Sequence, residues 1–285
     1  SFDLFSEKHI KSTIKLYKTN EDLKLDLPEA DAYICGSDQI WNSFFENGKD
    51  PAFYLDFVPD NKLKISYAAS FAIDKLDENI KEFVRKKVSR LNSISVRESS
   101  GVKILNDLGI NEVTHVLDPV FLLDKSDWEK LCLEPIVKED YIFVYDFDSN
   151  PLIKNFVNTQ KKNHGYKIVS VNENVKYADY NFFLEGPSTF LTLLSNAKFV
   201  VSNSFHAVAF SGIFKKQFTV FNRSEKRNTR MRDFVKLLEI EDVLISDANE
   251  IQNYNYTIDY DAFDRKLKAL TKKSKNYLIN ALNTD

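Results

Sequence analysis

The chain has 285 residues, enough for one large domain or two ordinary ones, each with its own core. Hydrophobic residues make up 43% and charged residues 28%, which excludes a disordered chain and points to a globular protein. The net charge of −3 excludes a general nucleic-acid binder, which needs a basic face, but leaves room for a local basic pocket. The two cysteines, Cys35 and Cys132, are far apart in hydrophobic contexts. They form no disulfide framework or metal spacing, so a reducing cytoplasm is expected. No apolar run approaches the roughly 20 residues of a membrane helix, and no signal peptide is visible.

The predicted elements alternate between short strands and helices. Residues 31–35 read as a buried strand ending at Gly36, and residues 64–68 as another. From Leu76 to Asn92, the apolar residues Leu76, Ile80, Phe83, Val84, Val88 and Leu91 share one helical face. Ile94–Val96 is a strand stopping at Arg97. Ser99 or Ser100 caps the next helix, which ends at Gly109. Residues 113–117 form a strand ending at Asp118-Pro119.

In the second half, strands are expected at 141–145, 166–171, 198–201 and 217–221. Helices are expected from Pro151 to just before Gly165, from Pro187 to Asn196, from Ser204 to Phe214, and from Met231 to Leu238. Residues 262–282 read as a long final helix. This rhythm implies βαβ units and mainly parallel sheets. A junction in the segment 123–140 gives an N-terminal domain over 1–124 and a C-terminal domain over 125–285, the last helix packing back on the first domain.

Ligands of open parallel sheets sit at the carboxyl ends of strands. After the first strand come Gly36, Ser37, Asp38, Gln39, Ile40, Trp41 and Asn42. Gly36 permits a tight turn. Asp38, Gln39, Trp41 and Asn42 offer hydrogen bonds and a flat face suited to a sugar, or else a structural turn around a core tryptophan. Ser70 follows the second strand in the same way. Arg97 either binds an anion bidentately or pairs internally with Glu98 or Asp118.

Ser202-Asn203-Ser204-Phe205-His206 leaves a strand and enters a helix. The first amides of that helix and its dipole favour an anion. The same dipole disfavours a charged His206, so a neutral imidazole near pH 7 fits a proton-transfer role. The plainer reading is a capping Ser204 and a packed His206. Of Arg223, Lys226, Arg227, Arg230 and Arg232, most are solvated charges. Arg230 and Arg232, at the start of the next helix, are the candidates to close over an anion. Polar strand ends on both sides of the junction are the pattern of a cleft between two domains.

Gly-Ser-Asp-Gln-Ile-Trp-Asn at 36–42, Ser-Tyr-Ala-Ala-Ser-Phe at 66–71, Ser-Val-Arg-Glu at 95–98, Asp-Pro-Val-Phe-Leu-Leu at 118–123 and Ser-Asn-Ser-Phe-His-Ala-Val-Ala-Phe-Ser at 202–211 occur in family order. Together they resemble the polysaccharide pyruvyl transferases. The resemblance implies an α/β fold of two Rossmann-like domains with parallel sheets facing a cleft, GT-B-like. It implies transfer of pyruvate from phosphoenolpyruvate, as co-substrate, to a sugar of a cell-surface polysaccharide or its lipid-linked precursor, as a ketal. No cofactor or metal is expected. By the resemblance, His206 matches the catalytic histidine and Arg97 the donor-binding arginine. Asn203, Ser204, Arg230 and Arg232 fall on the donor side, and Asp38, Gln39, Trp41, Asn42 and Ser70 on the acceptor side.

The family opens with a strand and an Asn-Tyr-Gly turn. Ser1 starts after that unit, so the first domain is expected to lack it. Ala207 stands where glycine is frequent. Expected partners are phosphoenolpyruvate and a sugar acceptor, lipid-linked at the membrane surface, with the protein cytoplasmic or peripheral at the inner membrane face. A nucleotide-sugar glycosyltransferase and a non-catalytic glycan-binding protein are the alternatives on the same fold.

Overall fold

The structure is a computed structural model describing residues 2–171, 173–223, 229–252 and 254–283. The chain divides into two compact units. One comprises Ser12–Leu122 and Arg265–Asp285 and is called here the Arg97 unit. The other comprises Ser1–Lys11 and Leu123–Asp264 and is called the His206 unit.

In the Arg97 unit, strands β1 (Ala32–Cys35) and β2 (Leu63–Ser66) pair in parallel, as do β3 (Ile94–Val96) and β4 (Val113–His115). Single parallel bridges, Ile65 to Ser93 and Ala69 to Val96, join the two pairs. The helix Glu78–Val88 buries Val84 and Val88 against this layer. It is shorter at both ends than its apolar stripe, because Leu76 and Leu91 are buried from flanking turns. The next helix, Ser99–Asp107, runs to a left-handed Gly109 with φ +81°, as expected. Its N-cap, however, is Glu98 and neither serine.

The tail of the helix Tyr260–Leu282 packs on the same unit. There Ser274 Oγ accepts from Leu117 N at 2.9 Å and Tyr277 OH donates to Ser66 O at 2.9 Å.

Gly36 has φ +120°, and a Cβ built on it would lie 2.1 Å from the Tyr67 carbonyl oxygen. That backbone alone costs a side-chain-bearing residue about 1–3 kcal/mol. The clash is with main chain and cannot relax by a rotamer change. Gly36→Ala is therefore expected to lower stability by about 3 kcal/mol or more in urea unfolding. An unchanged midpoint would refute the backbone argument.

In the His206 unit six parallel strands form one sheet. They are β5 (Tyr141–Tyr145), β6 (Lys167–Ser170), β7 (Tyr180–Asn181), β8 (Phe199–Ser202), β9 (Phe218–Phe221) and β10 (Leu244–Ile245). Their spatial order is β10-β9-β8-β5-β6-β7. The two-residue strands β7 and β10 are too short to show a period in sequence. The helix Pro151–His164 buries Ile153, Phe156 and Val157 and ends at left-handed Gly165. The helix Phe205–Ile213 is buried at every residue but His206. A helix apolar all round belongs in the interior, so its single polar first-turn side chain stands out. No helix among the described residues is long and apolar enough to cross a membrane.

Candidate active site

The sheet of the His206 unit changes direction between β5 and β8. From β5 the chain moves outward to β6, and from β8 it moves the opposite way to β9. Ligands of such sheets bind beyond the carboxyl ends of the strands at this switch. The two carboxyl ends there are Tyr145-Asp146-Phe147 and Ser202-Asn203-Ser204.

Hydrogen bonds tie these ends together. Ser202 Oγ donates to Tyr145 O at 2.7 Å and accepts from Ser204 N at 2.9 Å. Asn203 Nδ2 donates to Asp146 Oδ1 at 2.8 Å, while its Oδ1 accepts from Phe147 N at 3.0 Å. Asp146 also accepts from Asp148 N at 3.1 Å and Asn150 N at 2.8 Å. Asn203 is 1% exposed and Asp146 4%. Asn203 is therefore a crossbar between strand ends, with its amide enclosed, and not the donor-contacting residue that the sequence implied.

Burial pushes the Asp146 carboxyl above the usual carboxylate range, against the lowering effect of its bonds from Asp148, Asn150 and Asn203. Asn203→Leu removes one of these donors and pushes the carboxyl further the same way. The neutral carboxyl tolerates the loss and the carboxylate does not. The variant should thus be destabilised by about 1–3 kcal/mol near pH 7. The deficit should shrink as pH falls through the raised pKa. Urea unfolding at neutral and acid pH checks this, and an equal deficit at both would exclude Asp146 as the coupled group.

Ser204 occupies the N-cap of the helix Phe205–Ile213 with φ −102° and ψ 129°, but its hydroxyl makes no capping bond. The plain capping role is thereby set aside. Ser204 and His206 instead line a recess of about 470 Å³ with Tyr145, Phe147, Glu185 and Phe190. The His206 ring meets Phe205 edge to face at 5.4 Å, and the Arg230 guanidinium lies 5.9 Å from the centre of the Phe205 ring. Arg230 thus stands one aromatic ring from His206, on the helix Thr229–Leu237. Arg232 is exposed on that helix. Arg223 lies 4.6 Å over the Phe147 ring and pairs with Asp148 at 3.3 Å. Lys226 and Arg227 lie outside the described residues.

In the Arg97 unit the expected acceptor residues form a folded knot. Trp41 is fully buried, stacked on Tyr54 at 5.4 Å, tilted against Phe71 at 5.4 Å, and donating Nε1–H to Phe53 O at 3.1 Å. Its faces are core contacts, so the tryptophan half of the sugar-platform expectation is corrected. Ser70 is fully buried and donates to Glu98 Oε1 at 3.1 Å. The same oxygen accepts from Phe71 N at 2.8 Å and Ala72 N at 2.9 Å, which is why Glu98 is fixed at the helix start. Asn42, 2% exposed, donates to Gln39 Oε1 at 2.7 Å. Asp38, with a side chain 64% exposed, and half-buried Gln39 remain accessible.

The Arg97 side chain is 1% exposed. It pairs with Asp118 and, at 3.1 Å, with Asp38, and donates to Ser37 Oγ at 3.3 Å. Burial works against its charge, but Asp118 and Glu98 outweigh it and raise its pKa above the ordinary guanidinium value. Of the two readings open from sequence, the internal pair is the observed one. Among the described residues no group of three or more His, Cys, Asp or Glu side chains could hold a metal ion.

Sequence reasoning missed Asp146, Phe147 and the aromatic recess. The strand-end rule would have reached them, since they follow the clear strand Tyr141–Tyr145.

The fold is shared with UDP-GlcNAc 2-epimerases. That of Neisseria meningitidis, bound to UDP-GlcNAc, aligns at TM-score 0.54 and 11% identity, over 93% of this chain and 79% of that one. That of Rickettsia bellii aligns at TM-score 0.51 and 12% identity, over 93% and 76%. These likenesses bear out the GT-B-like α/β class expected from sequence. No curated protein matches the sequence. A sequence profile described as polysaccharide pyruvyl transferase matches residues 2–225, a span that takes in the His206 turn, its crossbar to Asp146 and the Arg97 pair. The chain therefore belongs to the polysaccharide pyruvyl transferase family.

Proposed function

We propose that the protein transfers the pyruvyl group of phosphoenolpyruvate to a sugar of a cell-surface polysaccharide, or of its lipid-linked precursor, as a ketal. The observation that carries this reading is His206. It is the one side chain of a buried helix that is not enclosed, it lies at the strand-order switch, and it faces a recess. Family membership supplies the pyruvyl chemistry.

Phosphoenolpyruvate carries a carboxylate and a phosphate. The start of the helix Phe205–Ile213, including Ser204, favours one anion through its first-turn amides and dipole. Arg230, one ring away from His206, supplies a cation for the other, and Arg232 extends the same basic helix start. A proton added to the methylene carbon leaves C2 electron-poor. A sugar hydroxyl bonds to C2 and gives up its proton, and the C2–O bond to phosphate breaks. A second hydroxyl of the same sugar then closes the ketal and releases its proton. His206 moves protons between acceptor and donor in this sequence. Arg97 takes no direct part in this reading and holds the Asp38 turn in place.

The test is incubation with phosphoenolpyruvate and a panel of free and lipid-linked galactosides, mannosides and hexosamines. Release of phosphate together with a sugar product heavier by pyruvate less water is expected. Transfer from nucleotide sugars alone would overturn the reading.

A further inference from the structure

We infer that the recess beside His206 is the acceptor subsite, and that it takes a neutral pyranose ring of the polysaccharide. This rests on the reading of His206 as the proton-transfer group of pyruvyl transfer. The sugar face is then supplied by the His206 unit, in place of the Trp41 platform that the fold encloses.

The walls carry the argument. Tyr145 and Phe147 meet at 4.8 Å between ring centres, and Tyr145 and Phe190 at 5.5 Å. Phe147 is 38% exposed and Phe183, also in the lining, 48%. Exposed rings grouped around one recess mark a ligand-binding groove. The volume of about 470 Å³ lies within the range of roughly 300–1,000 Å³ of small-molecule sites.

Charge decides between the two substrates. Glu185 adds a carboxylate to the lining, and the guanidinium of Arg223, 4.6 Å over the Phe147 ring, is paired with Asp148 at 3.3 Å. Phosphoenolpyruvate would leave water for apolar walls with a like charge nearby, which is unfavourable. A pyranose suits the same walls. Its apolar C–H face lies on an aromatic ring, and its hydroxyls reach Glu185 and His206 at the polar side, while the Ser204 helix start stays with the donor. This order of parts puts His206 between a sugar in the recess and a donor on the Arg230 side.

The decisive experiment pairs binding with turnover. Saturation-transfer NMR with methyl galactoside, methyl mannoside and methyl N-acetylglucosaminide, without phosphoenolpyruvate, should show a signal from at least one glycoside. Phe147→Ala and the more exposed Phe183→Ala should each weaken that signal and raise the acceptor KM about tenfold, equivalent to about 1.4 kcal/mol. The KM for phosphoenolpyruvate should stay near wild type. Phe183→Ala stands in if Phe147→Ala does not fold.

A raised phosphoenolpyruvate KM with unchanged acceptor KM would make the recess the donor site and overturn the inference. So would weakened use of a lipid-linked acceptor with unchanged use of the free glycoside, which would assign the recess to the lipid chain. Wild-type transfer without any glycoside signal at these rings refutes the subsite alone. A glycoside signal without any transfer from phosphoenolpyruvate refutes the donor reading and leaves the subsite standing.

Discussion

Asp118→Ala should destabilise the Arg97 unit by about 3–5 kcal/mol, because it strips the partner from a buried charge. The side chains of Arg97 and Asp118 are each 1% exposed. Of its other partners, Ser37 is a neutral hydroxyl and Asp38 has a side chain 64% exposed and bonds at 3.1 Å, so neither replaces Asp118 in position or in shielding. Arg97→Ala is expected to cost as much by removing the guanidinium that balances the buried Asp118 carboxylate. For that reason a simple loss of activity in Arg97→Ala would say nothing about donor binding. The informative variant is Arg97→Met with Asp118→Leu, which removes both charges and fills the volume. Such replacements are often neutral or stabilising. If urea unfolding shows the double variant recovering most of the lost stability, its transfer activity then tests the guanidinium itself. Recovered stability with recovered activity fits a positioning residue. Recovered stability with activity still absent would return Arg97 to the donor site.

The case of Arg97 shows where sequence reasoning runs out. The strand Ile94–Val96 and its terminal arginine were legible from the apolar triplet and the charge that ends it. Which anion the arginine meets was not, since Asp118 is 21 residues away and comes near only through the parallel pairing of β3 with β4. Trp41 is a similar case. A tryptophan after a glycine turn reads equally well as a sugar platform or a core residue. The partners that settle it, Tyr54 and Phe71, belong to separate local segments. Helix and strand periods were legible because they are local. The Pro187 start and the Gly165 stop follow from dihedral restrictions of single residues. Caps chosen by tertiary contacts were not, as with Glu98 held by the Ser70–Ala72 turn in place of the serines that follow it. The His206 turn was found because it combines a local signal, small polar residues between a buried strand and an apolar helix, with a topological rule about strand ends. Asp146 and Phe147 obey the same rule at the neighbouring strand. The crossbar that joins them to Asn203 required the order of strands, which only the fold supplies.

His206→Gln should lower phosphate release from phosphoenolpyruvate in the presence of acceptor by about 10²–10⁴-fold, the range for loss of a positioned acid or base. Glutamine is the discriminating replacement. It keeps the bulk in the first turn of the helix Phe205–Ile213 and can still donate or accept a hydrogen bond, but it does not exchange a proton near neutral pH. If His206 only orients a substrate, glutamine retains most of the rate. If it transfers protons, glutamine is as poor as alanine. The fold should not answer for the difference, because His206 is the only residue of that helix that is not buried, and the core contacts of Phe205, Ala207 and Val208 stay in place. Melting temperature and sugar binding in the recess should therefore match wild type while turnover falls. Near-normal turnover in His206→Gln would refute proton transfer by this residue and leave the helix start and Arg230 to act through electrostatics alone. A fall in sugar binding equal to the fall in rate would instead assign His206 to holding the acceptor.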